Sequence, residues 1–220
     1  MKPDSKRVTL DPVALLGGTY RTVELRERAG VVTVRQTLRR TFPTSQRDLW
    51  NAITSPERSA HWLGRVEGDL RPGGRYRIEG AAVGTVEFCD PPGTFTLTWE
   101  YNGDIGWVEV AVAPAAVGTA LILRHEFADT GKRWRRFGAG AVGVSWDLAL
   151  LGLLDHVAGR WWGSIAEAGV WYSGPEGSQF VVGSGERWSS AELSAGVDRA
   201  RVEARAERCR MIYHGRPVGE

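Results

Sequence analysis

The sequence predicts an α+β protein: one strongly curved antiparallel sheet wrapped around one long helix, followed by a helical C-terminal extension. Three observations carry this. Between residues 65 and 127, candidate strands follow one another with turn-forming residues between them. From about 134 to 157 the apolar period becomes helical. Upstream, one β-branched strand and two short helices precede the meander. Sheet and helix in that order do not close completely, so a cavity can remain between them.

The elements follow in chain order. Residues 1–30 read as a mixed lead-in, with one short helix over 10–17 that ends at a glycine pair. Residues 31–42 are β-branched and partly alternating, so Val32, Val34, Leu38 and Phe42 share a strand face. Pro43 ends that strand. Ser45, three residues before Asp48, starts a helix to Ile53 in the manner of a capping box. Ser55, Pro56 and Glu57 start a second short helix with a cap, a first-position proline and an early acid. Leu63-Gly64 stops it.

Candidate strands are 65–70, 74–80, 83–89, 94–101, 106–113 and 118–127. Their separators are turn formers, among them Pro72-Gly73-Gly74, Pro91-Pro92-Gly93 and Asn102-Gly103. Phe95, Leu97, Trp99 and Tyr101 alternate with threonines and Glu100, and Leu121, Leu123 and His125 share a face. Consecutive strands with tight turns make a meander, not a βαβ unit. One helix is expected from 134 to 157, carrying Val142, Trp146, Leu150, Leu153 and Val157 at helical spacings. Further helices are expected from Pro175 to Ala195 and from Asp198 to Tyr213. The corresponding organisation is a lead-in (1–30), a sheet-and-helix domain (31–158) and a helical extension (159–220).

Composition excludes several classes. With 42% hydrophobic and 25% charged residues in 220, the chain can build its own core. A net charge of +2 announces no nucleic-acid partner. No run of eighteen wholly apolar residues points to a membrane span, and the N-terminus lacks a signal-peptide core. Cys89 and Cys209 are far apart and form no metal-binding spacing, so the expectation is a cytoplasmic protein without metal or cofactor.

Five stretches resemble a known family. They are Leu49-Trp50-Asn51-Ala52-Ile53-Thr54-Ser55-Pro56-Glu57-Arg58, His61-Trp62-Leu63-Gly64, Gly68 to Tyr76, Leu97-Thr98-Trp99-Glu100-Tyr101, and Gly140 to Leu150. Together they resemble the SRPBCC (START-like) superfamily, and within it the bacterial homologues of the heat-shock-chaperone ATPase activator C-terminal domain. The resemblance covers about 31–158 and implies the helix-grip fold. Its functional message is broad, because lipid carriers, hormone receptors, cyclases and co-chaperone domains share that scaffold. The separate N-terminal domain of eukaryotic activators has no counterpart in the 30-residue lead-in.

The chemical candidates are few. Gly138 to Gly143 matches GxGxxG, but no strand precedes it and no βαβ unit contains it. Small residues that let the long helix lie close to the sheet explain it better. His125 on the inner face is either a satisfied core residue, a donor to a ligand oxygen, or a general base beside Glu100 or Tyr101. His61, His156 and His214 lie on separate helical segments. Ser145 and Asp147 point to different helix faces, so they form no triad. Cys89 reads as a small buried filler. Arg133, Arg135 and Arg136 around Trp134 read as a solvated loop in preference to an anion or partner contact. The Arg/Glu mixture of the last helix reads as a solvated face.

Ten tryptophans need burial, a cavity or an interface. Trp50 and Trp62 belong to the short-helix layer, and Trp99 and Trp146 to the cavity. Trp107 points outward. Trp161, Trp162, Trp171 and Trp188 glue the extension to the domain or to a partner subunit. The leading functional reading is binding of a small apolar or aromatic ligand by Trp62, Trp99, Tyr101, His125, Phe137, Trp146 and Leu150. A polyketide cyclase- or aromatase-like enzyme and a co-chaperone-like interaction protein are the alternatives. Further expectations are a homodimer or a protein partner, and neither nucleic acid nor membrane.

Overall fold

The computed structural model describes residues 16–130, 132–159, 171 and 174–215. The predicted helix at 10–17, except its last two residues, lies outside them, as do Trp161 and Trp162.

Eight strands form one antiparallel sheet in the order β1-β2-β8-β7-β6-β5-β4-β3. They are β1 (Thr19–Arg28), β2 (Val31–Phe42), β3 (Val66–Gly68), β4 (Arg75–Ile78), β5 (Val83–Asp90), β6 (Thr94–Tyr101), β7 (Asp104–Pro114) and β8 (Thr119–Ala128). β1 corrects the expected lead-in: the sheet begins within residues 1–30. Ala29 and Gly30, at φ 50° and 78°, make the two-residue turn that pairs Arg28 with Val31. Asn102 and Gly103 do the same between β6 and β7.

Alternation decides the two sheet faces. Val34, Leu38 and Phe42 of β2, Val108, Val110 and Val112 of β7, and Leu121 and Leu123 of β8 are buried. Trp107 turns to the other face, as its neighbours' alternation predicts. A register shift between Val86 and Phe88 marks an irregularity in the β5–β6 pairing.

Helices α1 (Gln46–Thr54) and α2 (Pro56–Ser59) close one end of the sheet. The Ser45 hydroxyl accepts from the Asp48 amide at 3.2 Å, while the Asp48 carboxylate takes the Thr44 hydroxyl at 2.7 Å. Ser55 caps α2 through the Arg58 amide.

The single helix expected from 134 to 157 is two helices, α3 (Lys132–Phe137) and α4 (Gly140–Val157). Gly138, at φ 62°, breaks them. By length and composition α4 could cross a membrane, which the residue run alone did not suggest; half of it is buried inside this fold. It has no side-chain cap of its own. The carboxylate of Glu192, from helix α5 (Pro175–Ser194), accepts the Ala139 amide at 2.9 Å instead.

The glycines at 138–143 make room for the extension, not for the sheet. A methyl at Gly143 would run into the Trp188 indole, and one at Gly140 would meet the Cys209 sulfur of helix α6 (Arg199–Tyr213). Trp188, Val181 and Ala191 share the core of Val34, Leu38 and Leu153. Nor is α6 merely solvated: Arg205 is buried, pairs with Glu192 at 2.6 Å and lies over the Trp134 ring at 4.7 Å. Residues 133–136 are therefore a helical turn with a buried tryptophan, not a solvated loop.

Candidate functional site

Sheet and α4 enclose two adjoining chambers. The inner one, about 330 Å³, is lined almost wholly by apolar groups, including Trp50 and Ile53 of α1, Phe95 and Leu97 of β6, and Leu150 and Leu153 of α4. The outer one, about 860 Å³, opens between the β6–β7 turn and the α3–α4 junction. Trp62, Leu63, Trp99, Trp146 and Ala149 line both and form the throat between them.

Local structure explains the opening. Every residue of β6 up to Glu100 is only half-buried, because its inward side chains meet open space instead of a packed helix. Trp50, Ile53 and Thr54 of α1 and Ser59 of α2 line the inner chamber. The Trp62 indole is fixed by donating to the Ala52 carbonyl at 3.0 Å. Trp99 and Trp146 lie with ring centroids 5.0 Å apart. Trp50 meets Phe95 edge-on at 5.8 Å.

His125 is the polar member of this aromatic wall, in edge contact with Trp99, Phe127 and Trp146. The Trp146 Nε1–H donates to His125 Nδ1 at 3.1 Å. That uses the Nδ1 lone pair, so the neutral ring carries its proton on Nε2. Burial, with the Arg133 charge adding to it, pushes the His125 pKa down to about 3. An unfolded histidine titrates near 6.5. The folded pKa is depressed, so the unfolded chain binds the proton first on acidification. The His125 contribution to stability is present above about pH 6.5 and is lost as pH falls towards about 3. The melting temperature of the protein minus that of His125→Phe should therefore shrink between pH 7 and pH 4. A difference that stays constant over that range would count against this account.

The predicted site residues divide. Trp62, Trp99 and Trp146 meet at the throat, Leu150 lines the inner chamber, and Tyr101 and His125 line the outer one. Phe137 is not among them. It lines a separate groove with Val144, Val181 and Cys209, because the break at Gly138 turns the end of α3 towards the extension. Residues missed in the sequence include Trp50, Phe95 and Arg133. The β6 alternation that picked out Trp99 contained the signal for Phe95. For Arg133 the sequence reading sets an anion contact below a solvated loop; its guanidinium reaches the chamber only because α3 folds back over the Tyr101 ring, at 4.9 Å.

The remaining candidates find structural roles. Cys89 is half-buried in the inner chamber wall, with its thiol pushed up by burial. Ser145 bonds Tyr213 at 2.8 Å, whereas Asp147 faces Arg21, Ser184 and Trp188. His61 and His156, expected apart, stack at 5.6 Å. The Arg58 Nε–H donates to His156 Nε2 at 3.0 Å, occupying the lone pair a metal would need. No group of three or more metal-ligating side chains occurs among the described residues.

Residues 43–157 match the family described as "Activator of Hsp90 ATPase homolog 1-like protein". CalU16 from Micromonospora echinospora is similar over most of both chains. Its crystal structure has 26% identity and a TM-score of 0.63, covering 79% of this chain and 97% of CalU16. Its solution structure has 27% identity and a TM-score of 0.67, covering 80% and 96%. A conserved protein of unknown function from Enterococcus faecalis has 15% identity and a TM-score of 0.53 over 78% of this chain and 92% of its own, which speaks for the fold alone. No curated protein matches the chain.

Proposed function

The chain belongs to the Activator of Hsp90 ATPase homolog 1-like family, within the SRPBCC superfamily, and from that premise we propose that it binds a small apolar or aromatic ligand in the cavity between sheet and α4. One observation carries the reading: an almost wholly apolar chamber of about 330 Å³ that opens through a tryptophan throat. Such a volume lies in the range of small-molecule sites. Its apolar walls face open space, and the body of a ligand would supply the dispersion contacts that they lack. Family membership by itself selects no ligand and no chaperone activity.

The cyclase-like alternative is less well supported. A general base works best with a pKa near the operating pH. His125, held neutral with Nδ1 already accepting, is suited to donating a hydrogen bond, not to taking a proton.

The neutral fluorophore N-phenyl-1-naphthylamine tests the reading. It should brighten on mixing with the protein and quench tryptophan emission. Ala149→Phe narrows the throat and should weaken binding about tenfold, or ~1.4 kcal/mol. Absence of dye binding, or equal binding by the variant, would refute the cavity as the site.

A further inference from the structure

The two chambers differ in chemistry, and the difference specifies more than an apolar ligand. His125 is only 4% exposed, yet its Nε2–H has no protein acceptor among the described residues. A Cβ on Gly106 would lie 2.9 Å from that nitrogen, so the glycine keeps the space beside it clear. That nitrogen faces the open outer chamber, and a ligand oxygen there would take the place of water as its acceptor.

Arg133 lines the same chamber. Its guanidinium lies over the Tyr101 ring at 4.9 Å and donates a long hydrogen bond to the Ala141 carbonyl at 3.4 Å. No carboxylate lies within ion-pair distance of it among the described residues, whereas Arg21, Arg35 and Arg205 each have one. Arg135 also lines this chamber; the lining carboxylate is Asp104, on the β6–β7 turn. The polar lining is therefore positive on balance, and its donors face inward from β8 and α3.

We infer that the occupant is amphipathic: an aromatic body at the Trp62–Trp99–Trp146 throat, and an anionic oxygen of the carboxylate type received by Arg133 and His125 Nε2–H. This rests on the cavity-binding reading above. The fork of Arg133 suits a planar carboxylate, and the surrounding aromatic wall strengthens a charge-assisted bond by excluding water.

Two probes of equal body and different head separate the claims: 2-naphthoate and 2-naphthalenemethanol, each displacing N-phenyl-1-naphthylamine at pH 7. The protein should bind the carboxylate about tenfold more tightly than the alcohol. Arg133→Gln should bring that ratio close to one, Arg133→Lys should keep part of it, and His125→Phe should lower it. A ratio near one in the unmodified protein, or one that Arg133→Gln leaves unchanged, overturns the anionic-oxygen assignment while the cavity reading stands. If neither probe displaces the dye and the dye itself does not bind, the cavity reading falls, and this inference with it.

Discussion

Asp147→Ala should cost about 3–5 kcal/mol of stability, the usual penalty for removing one partner of a buried ion pair. Asp147 and Arg21 have side chains only 1% and 4% exposed. The carboxylate accepts from Arg21 Nε at 3.1 and 3.0 Å and from Arg21 Nη2 at 2.8 Å. It also accepts from Ser184 Oγ at 2.5 Å and Trp188 Nε1 at 3.0 Å. One side chain of α4 thus ties the edge strand β1 to the extension helix α5. Its removal leaves a guanidinium, a hydroxyl and an indole N–H buried without their acceptor. The denaturant midpoint should fall with little change in slope. Replacing both ions, as Arg21→Met with Asp147→Leu, should recover much of the loss, because the Arg21 guanidinium is no longer buried without its counter-charge. A loss under about 1 kcal/mol for Asp147→Ala would mean that this centre does not hold the extension.

The second large effect is expected at Trp188. Its ring is fully buried between α4 and α5, and the backbone of Gly143 lies against it. Truncation to alanine removes a large apolar surface and leaves a cavity, at about 3–5 kcal/mol. It also deprives Asp147 of a donor, so its effect and that of Asp147→Ala should not add. Gly143 gives the discriminating control. In the unmodified protein, Gly143→Ala should destabilise by about 1–3 kcal/mol, because the new methyl meets the indole. In the Trp188→Ala background the same change should cost little or even stabilise. Equal costs in both backgrounds would show that something other than the indole sets the glycine requirement, since helix propensity by itself favours alanine.

Legibility in the sequence followed the range of the interaction responsible. β2 and β6 have the predicted bounds, and the turns at Asn102-Gly103 and Pro91-Pro92-Gly93 fall where the sequence puts them. These are short-range signals: alternation, caps and turn residues act within a few positions. β1 was missed because much of its alternate face is charged, as at Glu24 and Arg26, and its pairing partner lies beyond an Ala-Gly turn of weak signature. The break at Gly138 was missed because the acceptor that caps α4 comes from Glu192, more than fifty residues away.

The same division runs through the site. Trp99, Trp146 and His125 could be placed on inward faces from period alone. That Phe137 turns away from them, and that Arg133 turns towards them, depends on how α3 packs against α6 and β6. Arg205 shows the limit most plainly. In the sequence it is one of several arginines on a mixed-charge helix; in the fold it is buried against Glu192 and Trp134. A charge can leave water only where a counter-charge and donors or acceptors are already in place, and those come from distant elements.

The sequence by itself determined the sheet-and-helix architecture, the inward aromatic wall and the presence of a gap beneath the long helix, because periodicity and turn chemistry are local properties of the chain. Only the tertiary structure decided that the gap has an almost wholly apolar inner chamber and an outer one that adds Arg133, Arg135 and His125, and that the glycine-rich start of α4 serves the extension. Those outcomes depend on which buried polar groups find partners across the fold, and distant pairing leaves no local pattern to read.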